Sequence, residues 1–166
     1  VLEFESRRQQ SARAAVAWRM IAAMRPDFII HLGDLVQEYP GTPHFSQAMD
    51  EALGQMRQSG VGVVHQVAGN HDVGDKADPS MPTHPVTVAS LEAYHRRCGP
   101  SWYSWVRDEL HFIVLNSQIM NTSLTAATTQ RTWLENDLAE HADKRHFVFM
   151  HLPPYLHTED EIAVGH

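Results

Sequence analysis

Several side chains able to hold or move charge stand where apolar runs end. Asp34 follows "FIIHLG", Asn70 and His71 follow "VGVVHQVAG", and His151 follows "HFVFM". A carboxylate has two oxygens and can bridge two cations about 3.5 to 4 Å apart, the separation used in two-metal hydrolysis. Asp34 suits that task. An asparagine carbonyl is a neutral oxygen ligand and imidazole is the common nitrogen ligand, so Asn70 and His151 could share one ion. Mixed oxygen and nitrogen donors favour a transition metal over calcium, which prefers oxygen throughout. His71, next to Asn70, must project elsewhere and is free to serve as an acid or as an electrostatic stabiliser. Asp72 is placed to hold the His71 tautomer.

Each residue also has a plainer reading. A Gly-Asp pair is ordinary turn chemistry, because glycine permits unusual backbone angles and aspartate bonds its own backbone. The twelve histidines are scattered, and most histidines are surface or satisfied core residues. Position is what lifts these few above that background. In layered α/β folds, ligands bind beyond the carboxyl ends of strands. Four strands in succession end in polar groups: Gly33-Asp34, Gly69-Asn70-His71-Asp72, Asn116-Ser117 and His151. Turn chemistry does not call for the two histidines.

The elements that must position them follow from pattern. "SRRQQSARAAVAWRMIAAMRP" reads as an amphipathic helix with Val16, Met20 and Met24 at four-residue steps, ending before Pro26. "DFIIHL" is a strand, "HFSQAMDEALGQMRQSG" a helix closed by Gly60, and "VGVVHQV" a valine-rich buried strand. Residues 74–85 form a loop, and "VTVASLEAYHRR" a helix. "SWYSWVRDELHFIVLNSQ" gives two strands around a turn at Arg107 to Glu109. "TAATTQRTWLENDLAEHA" is a helix whose Trp133, Leu134 and Leu138 face the core, and "HFVFM" is a last strand before the prolines of "HLPPYLH". Helix and strand alternate as in a sheet covered by helices.

The 166 residues, with a net charge of −7 and interleaved signs, describe one domain with an ordinary solvated surface. No basic patch follows a phosphate backbone, so bulk nucleic-acid binding is not indicated. No apolar run reaches the roughly 18 to 20 residues needed to cross a bilayer. The single Cys98 cannot form an intramolecular disulfide, which favours a cytoplasmic setting; the chain begins at Val1, so a leader upstream would not be seen.

"GDLVQ" and "GNHD", with Asp34 and Asn70 36 residues apart, and a histidine after a later strand resemble the calcineurin-like metallophosphoesterases. "GDLVQEYPG", "LNSQ" and "HLPPYLH" extend the resemblance over nearly the whole chain. The resemblance implies an α/β (α+β) fold, a β-sandwich flanked by helices with its site at strand ends. It implies that Asp34 bridges two divalent transition-metal ions (manganese, iron or zinc), that Asn70 and His151 bind one of them, and that His71 contacts the phosphoryl group or the leaving oxygen. The reaction implied is hydrolysis of a phosphate ester by a metal-bridging hydroxide. A phosphomonoester is favoured, in a small molecule or a phosphoprotein, over a phosphodiester or nucleic acid. A metal-poor protein-binding scaffold is the alternative from another class, although such scaffolds tend to lose the histidine kept here as His71. The place where purple acid phosphatases carry a tyrosine ligand is Gln37 here.

Two motifs of that family are missing. Val1 to Ser6 holds only Glu3 and Glu5 where an aspartate and a histidine are expected, and the terminal Gly165-His166 lies only 15 residues after His151. The expectation is therefore a partial domain over 1–166, incomplete at both ends, that binds metal weakly by itself because it carries about three of the required ligands.

Overall fold

The computed structural model describes residues 9–76 and 84–154. Along the chain run α1 (Gln10–Met24), β1 (Phe28–His31), α2 (Phe45–Gln58), β2 (Val63–Gln66), a single turn α3 (Asn70–Val73), α4 (Val88–Cys98), β3 (Tyr103–Arg107), β4 (Leu110–Val114), α5 (Thr125–Glu140) and β5 (Arg145–Phe149). This mixed α/β order matches the alternation expected from the sequence. His166 and His157 lie outside the described residues.

The strands form two sheets among the described residues. β1 and β2 pair in parallel, with Phe28 opposite Val63. β3 and β4 form an antiparallel hairpin, and β5 adds in parallel to β4 after the α5 crossover. Facing side chains join the sheets: the Phe28 ring meets Phe112 and Trp105 edge-on at 5.3 and 5.8 Å. His65 lies flat on Trp105 with ring centroids 3.6 Å apart. A second apolar cluster, Ala68, Val73, Val86, Leu91, Tyr94 and Ile119, sits between the end of β2 and α4. Cys98 packs against it, and burial pushes its thiol up to about 12, so it behaves as a small packing residue.

Three expectations about faces need correction. In α1 the Val16, Met20 and Met24 stripe is exposed by 45, 65 and 78%, while Trp18 is buried and stacks on His31. Alanines surround the stripe, so both faces of this helix are apolar; the bulk of Trp18 decides which turns inward. β2 is not a buried strand throughout, since Val63 is 57% exposed and only Gln66 is fully covered. In α5, Trp133, Leu134 and Leu138 are only half-buried, and the most buried positions are polar, Gln130 and Asp137. Gln130 donates to the Asn116 carbonyl and its Oε1 accepts the Asn116 N–H, continuing a ladder where β4 stops.

Candidate metal and phosphoester site

β1 and β2, side by side in parallel, end in two turns that touch. Gly33 and Asp34 both take positive φ, 97° and 56°, the left-handed region that glycine enters freely and aspartate tolerates. A β-carbon on Gly33 would come within 2.7 Å of the Gly69 nitrogen and 2.8 Å of His151 Nδ1. Only glycine lets the turns and the histidine close together.

One carboxylate fastens these turns. Asp72 is 2% exposed and accepts N–H bonds from Asp34 (2.8 Å), Leu35 (3.0 Å) and Gly69 (2.9 Å). Burial pushes its pKa up to about 6 against the opposing pull of those donors, with the Asp34 charge adding a smaller upward push. The sequence-based expectation that Asp72 steadies the His71 tautomer is corrected. The His71 Nδ1 lies 2.7 Å from the Gln37 carbonyl, and Asp72 instead holds the backbone on which Asp34 and Asn70 are mounted.

Asp34, Asn70 and His151 converge. His151 Nε2 is 3.0 Å from Asn70 Oδ1 and 3.5 Å from Asp34 Oδ1. Donor atoms each about 2.0 to 2.2 Å from one ion stand about 2.8 to 3.6 Å apart in tetrahedral or octahedral geometry, so these separations suit a shared cation. The remaining polar side-chain atoms of His151 and Asn70 are committed. His151 Nδ1 lies 2.8 Å from the Leu32 carbonyl, which requires Nδ1–H and leaves Nε2 with its lone pair in the neutral ring. Asn70 Nδ2 donates to the Tyr39 hydroxyl at 3.0 Å, which turns its carbonyl toward His151. Asp34 Oδ1 also accepts the His71 backbone N–H at 3.1 Å. The residues present therefore fit a divalent metal by donor chemistry and by distance.

His71 projects away from this group, as its neighbour's role demands. Its ring lies against Tyr39 at 4.1 Å, and Tyr39 in turn lies 5.3 Å from His84. Burial first, then the Asp75 charge, raise the Tyr39 pKa, so the phenol stays neutral where it accepts from Asn70. Tyr39 stands within "GDLVQEYPG" but was assigned no role; a tyrosine five residues after Asp34 is a signal only once the loop is seen folding back. His31 was also passed over inside an apolar run. Its pKa is lowered chiefly by burial, with Asp34 opposing and His151 reinforcing.

The third strand end does not supply a ligand. Asn116 is fully buried and bonds Gln130, Ser101 and the Gln118 N–H. Ser117 Oγ accepts the Leu152 N–H at 2.9 Å and so anchors the segment carrying His151. These polar groups support the site from behind.

The family model described as calcineurin-like phosphoesterase matches residues 8–164. Serine/threonine-protein phosphatase CPPED1 from Danio rerio is 32% identical over 145 residues, covering 82% of this chain and 44% of that protein. The Bos taurus protein of the same name is 34% identical over 146 residues, with 82 and 43% covered, and the Homo sapiens one 31% over 148, also with 82 and 43% covered. The chain thus spans less than half the length of these curated relatives. Yellow lupin purple acid phosphatase PPD1 superposes with a TM-score of 0.48 at 17% identity, over 78% of this chain and 23% of that one.

Proposed function

This chain belongs to the calcineurin-like phosphoesterase family, and on that premise we propose that the protein carrying it hydrolyses phosphate esters at a metal site built on Asp34, Asn70 and His151. The supporting observation is the meeting of the His151 Nε2 lone pair with two oxygens at 3.0 and 3.5 Å, while the other atoms of His151 and Asn70 are bonded elsewhere. When bound, a divalent transition ion supplies Lewis acidity to the phosphoryl oxygens and lowers the pKa of water beside it.

The chain's own residues then divide the work. Asp34 compensates positive charge, and its second oxygen makes it the shared ligand if the site holds two ions; the dinuclear form belongs to this proposal. Asn70 and His151 orient one ion without adding charge. His71 keeps Nδ1–H on the Gln37 carbonyl, so Nε2 is the atom that meets the phosphoryl group and, when protonated, can pass a proton to the leaving oxygen. Asp72 binds no substrate and acts by holding both turns. The phosphatase names of the relatives favour a phosphomonoester in a phosphoprotein or phosphorylated small molecule over a diester.

The test uses the full-length protein with metal content recorded beside turnover. Asp34→Asn leaves a neutral bridging group, and metal content and turnover should fall together. His71→Ala should keep the metal and lose about 10²- to 10⁴-fold on an alkyl phosphate, with a much smaller loss on nitrophenyl phosphate, whose leaving group needs little acid help. An equal loss on both makes His71 a phosphoryl stabiliser. Loss of metal in His71→Ala overturns the assignment, and faster turnover of a nitrophenyl diester than of the monoester overturns the substrate preference. Absence of both metal and turnover in the wild type would favour a binding scaffold.

A further inference from the structure

A second group of metal-binding side chains lies at the opposite end of β4. His111 on β4, and Asp137 and His141 on α5, bring one donor atom each to within 4.8 Å of one another. His111 is the second residue of β4 and His146 the second of β5, whereas the phosphoester site lies beyond the carboxyl ends of the strands. The two groups are separate.

What distinguishes this cluster is that each member has one polar atom engaged and one left over. Asp137 Oδ1 accepts the Ser104 hydroxyl at 2.7 Å. His141 Nδ1 lies 2.9 Å from the Asp137 carbonyl, so it carries the proton there and leaves Nε2 with a lone pair. His111 Nδ1 meets His146 Nδ1 at 3.0 Å, one of the two donating. Remaining are Asp137 Oδ2 and His111 Nε2, both buried without a hydrogen-bond partner among the described residues, although they approach to 3.1 Å. That contact is close but out of line for a hydrogen bond. His111 is fully buried and Asp137 only 8% exposed, and unpaired polar atoms in such a place are costly.

We propose that His111, Asp137 and His141 form a binding site for a single divalent cation of the zinc type, which fastens α5 to β4. Two imidazoles and a carboxylate are a donor set that zinc accepts, with a fourth position left for water. The Ser104 hydroxyl, the Asp137 carbonyl and the His146 ring are the outer partners that hold metal ligands in orientation. The His141 side chain, 22% exposed, gives an ion its way in.

The experiment is zinc binding by the full-length protein in which Asp34→Asn and His151→Ala silence the other site, with folding checked by far-UV circular dichroism. One zinc ion per chain should remain, measured by competition with a chelator. Adding His141→Ala or His141→Gln should weaken it at least about 100-fold, and Ser104→Ala about 10- to 100-fold. His141 is partly exposed, so neither exchange has to disturb the core that a His111 exchange would open. A folded, silenced protein that takes up no zinc overturns the proposal. So does zinc affinity unchanged in both His141 variants.

Discussion

Tyr39 shows how a residue with no evident metal-binding role of its own can govern a ligand. Its hydroxyl accepts from Asn70 Nδ2 and its ring lies on His71. Tyr39→Phe keeps the ring and removes the bond that aims the Asn70 carbonyl. Metal affinity should drop about 10- to 100-fold, the usual cost of losing an outer partner, while the dependence of rate on leaving group should stay as in wild type because His71 keeps its support. Metal titration and a leaving-group series check this, and unchanged affinity would show that Asn70 is oriented without Tyr39. Asp34, Asn70, His71 and His151 were legible as candidates because four apolar runs in succession end in polar groups and turn chemistry does not call for the histidines. Tyr39 was not legible, because its role depends on a loop fold that local pattern does not reveal.

At the scale of elements, the site depends on how closely two strand ends approach. Gly33 has a φ of 97° and no room for a β-carbon beside Gly69 and His151. Gly33→Ala should therefore cost about 1 to 3 kcal/mol in backbone strain, and more than strain alone if the contacts open. Urea denaturation compared with wild type measures it, and His151 should lose its grip on metal in the same variant. A change below about 0.5 kcal/mol would mean that the turn relaxes freely. Strands and helices were readable from periodicity and from Gly60 and Pro26 as stops. Which face of α1 or α5 turns inward was not. α1 carries apolar side chains on both faces, and α5 buries Gln130 and Asp137, whose partners Asn116, Ser104 and His111 lie outside it.

At the scale of the whole molecule, Asp72 couples stability to pH. Its pKa, pushed up to about 6 by burial, exceeds the ordinary value of an unfolded chain. The folded state therefore holds the proton more tightly. This contribution to stability is complete below about pH 4 and is lost as pH rises through about 6, amounting to about 3 kcal/mol. Asp72→Asn resembles the protonated form and lacks the transition. In the metal-free protein, the stability of wild type minus that of Asp72→Asn should fall across this window when followed by denaturant unfolding. A difference that grows with pH instead would show that the three N–H donors outweigh burial. No described helix is long and apolar enough to cross a membrane.

The sequence by itself determined the class of fold, the strand ends and four candidate site residues, because hydrophobic period and donor chemistry are local properties of the chain. Only the tertiary structure decided that Asp72 is a fastener of two turns, that Asn116 is a buried hub, and that His111, Asp137 and His141 meet. Asp72 bonds the backbone of Asp34 and Leu35, 38 and 37 residues away, Asn116 bonds Ser101 and Gln130 on either side of it, and His111 meets His146 35 residues on. Such pairings are set by sheet order and by which helix face turns inward, and both follow from packing shared across the whole domain.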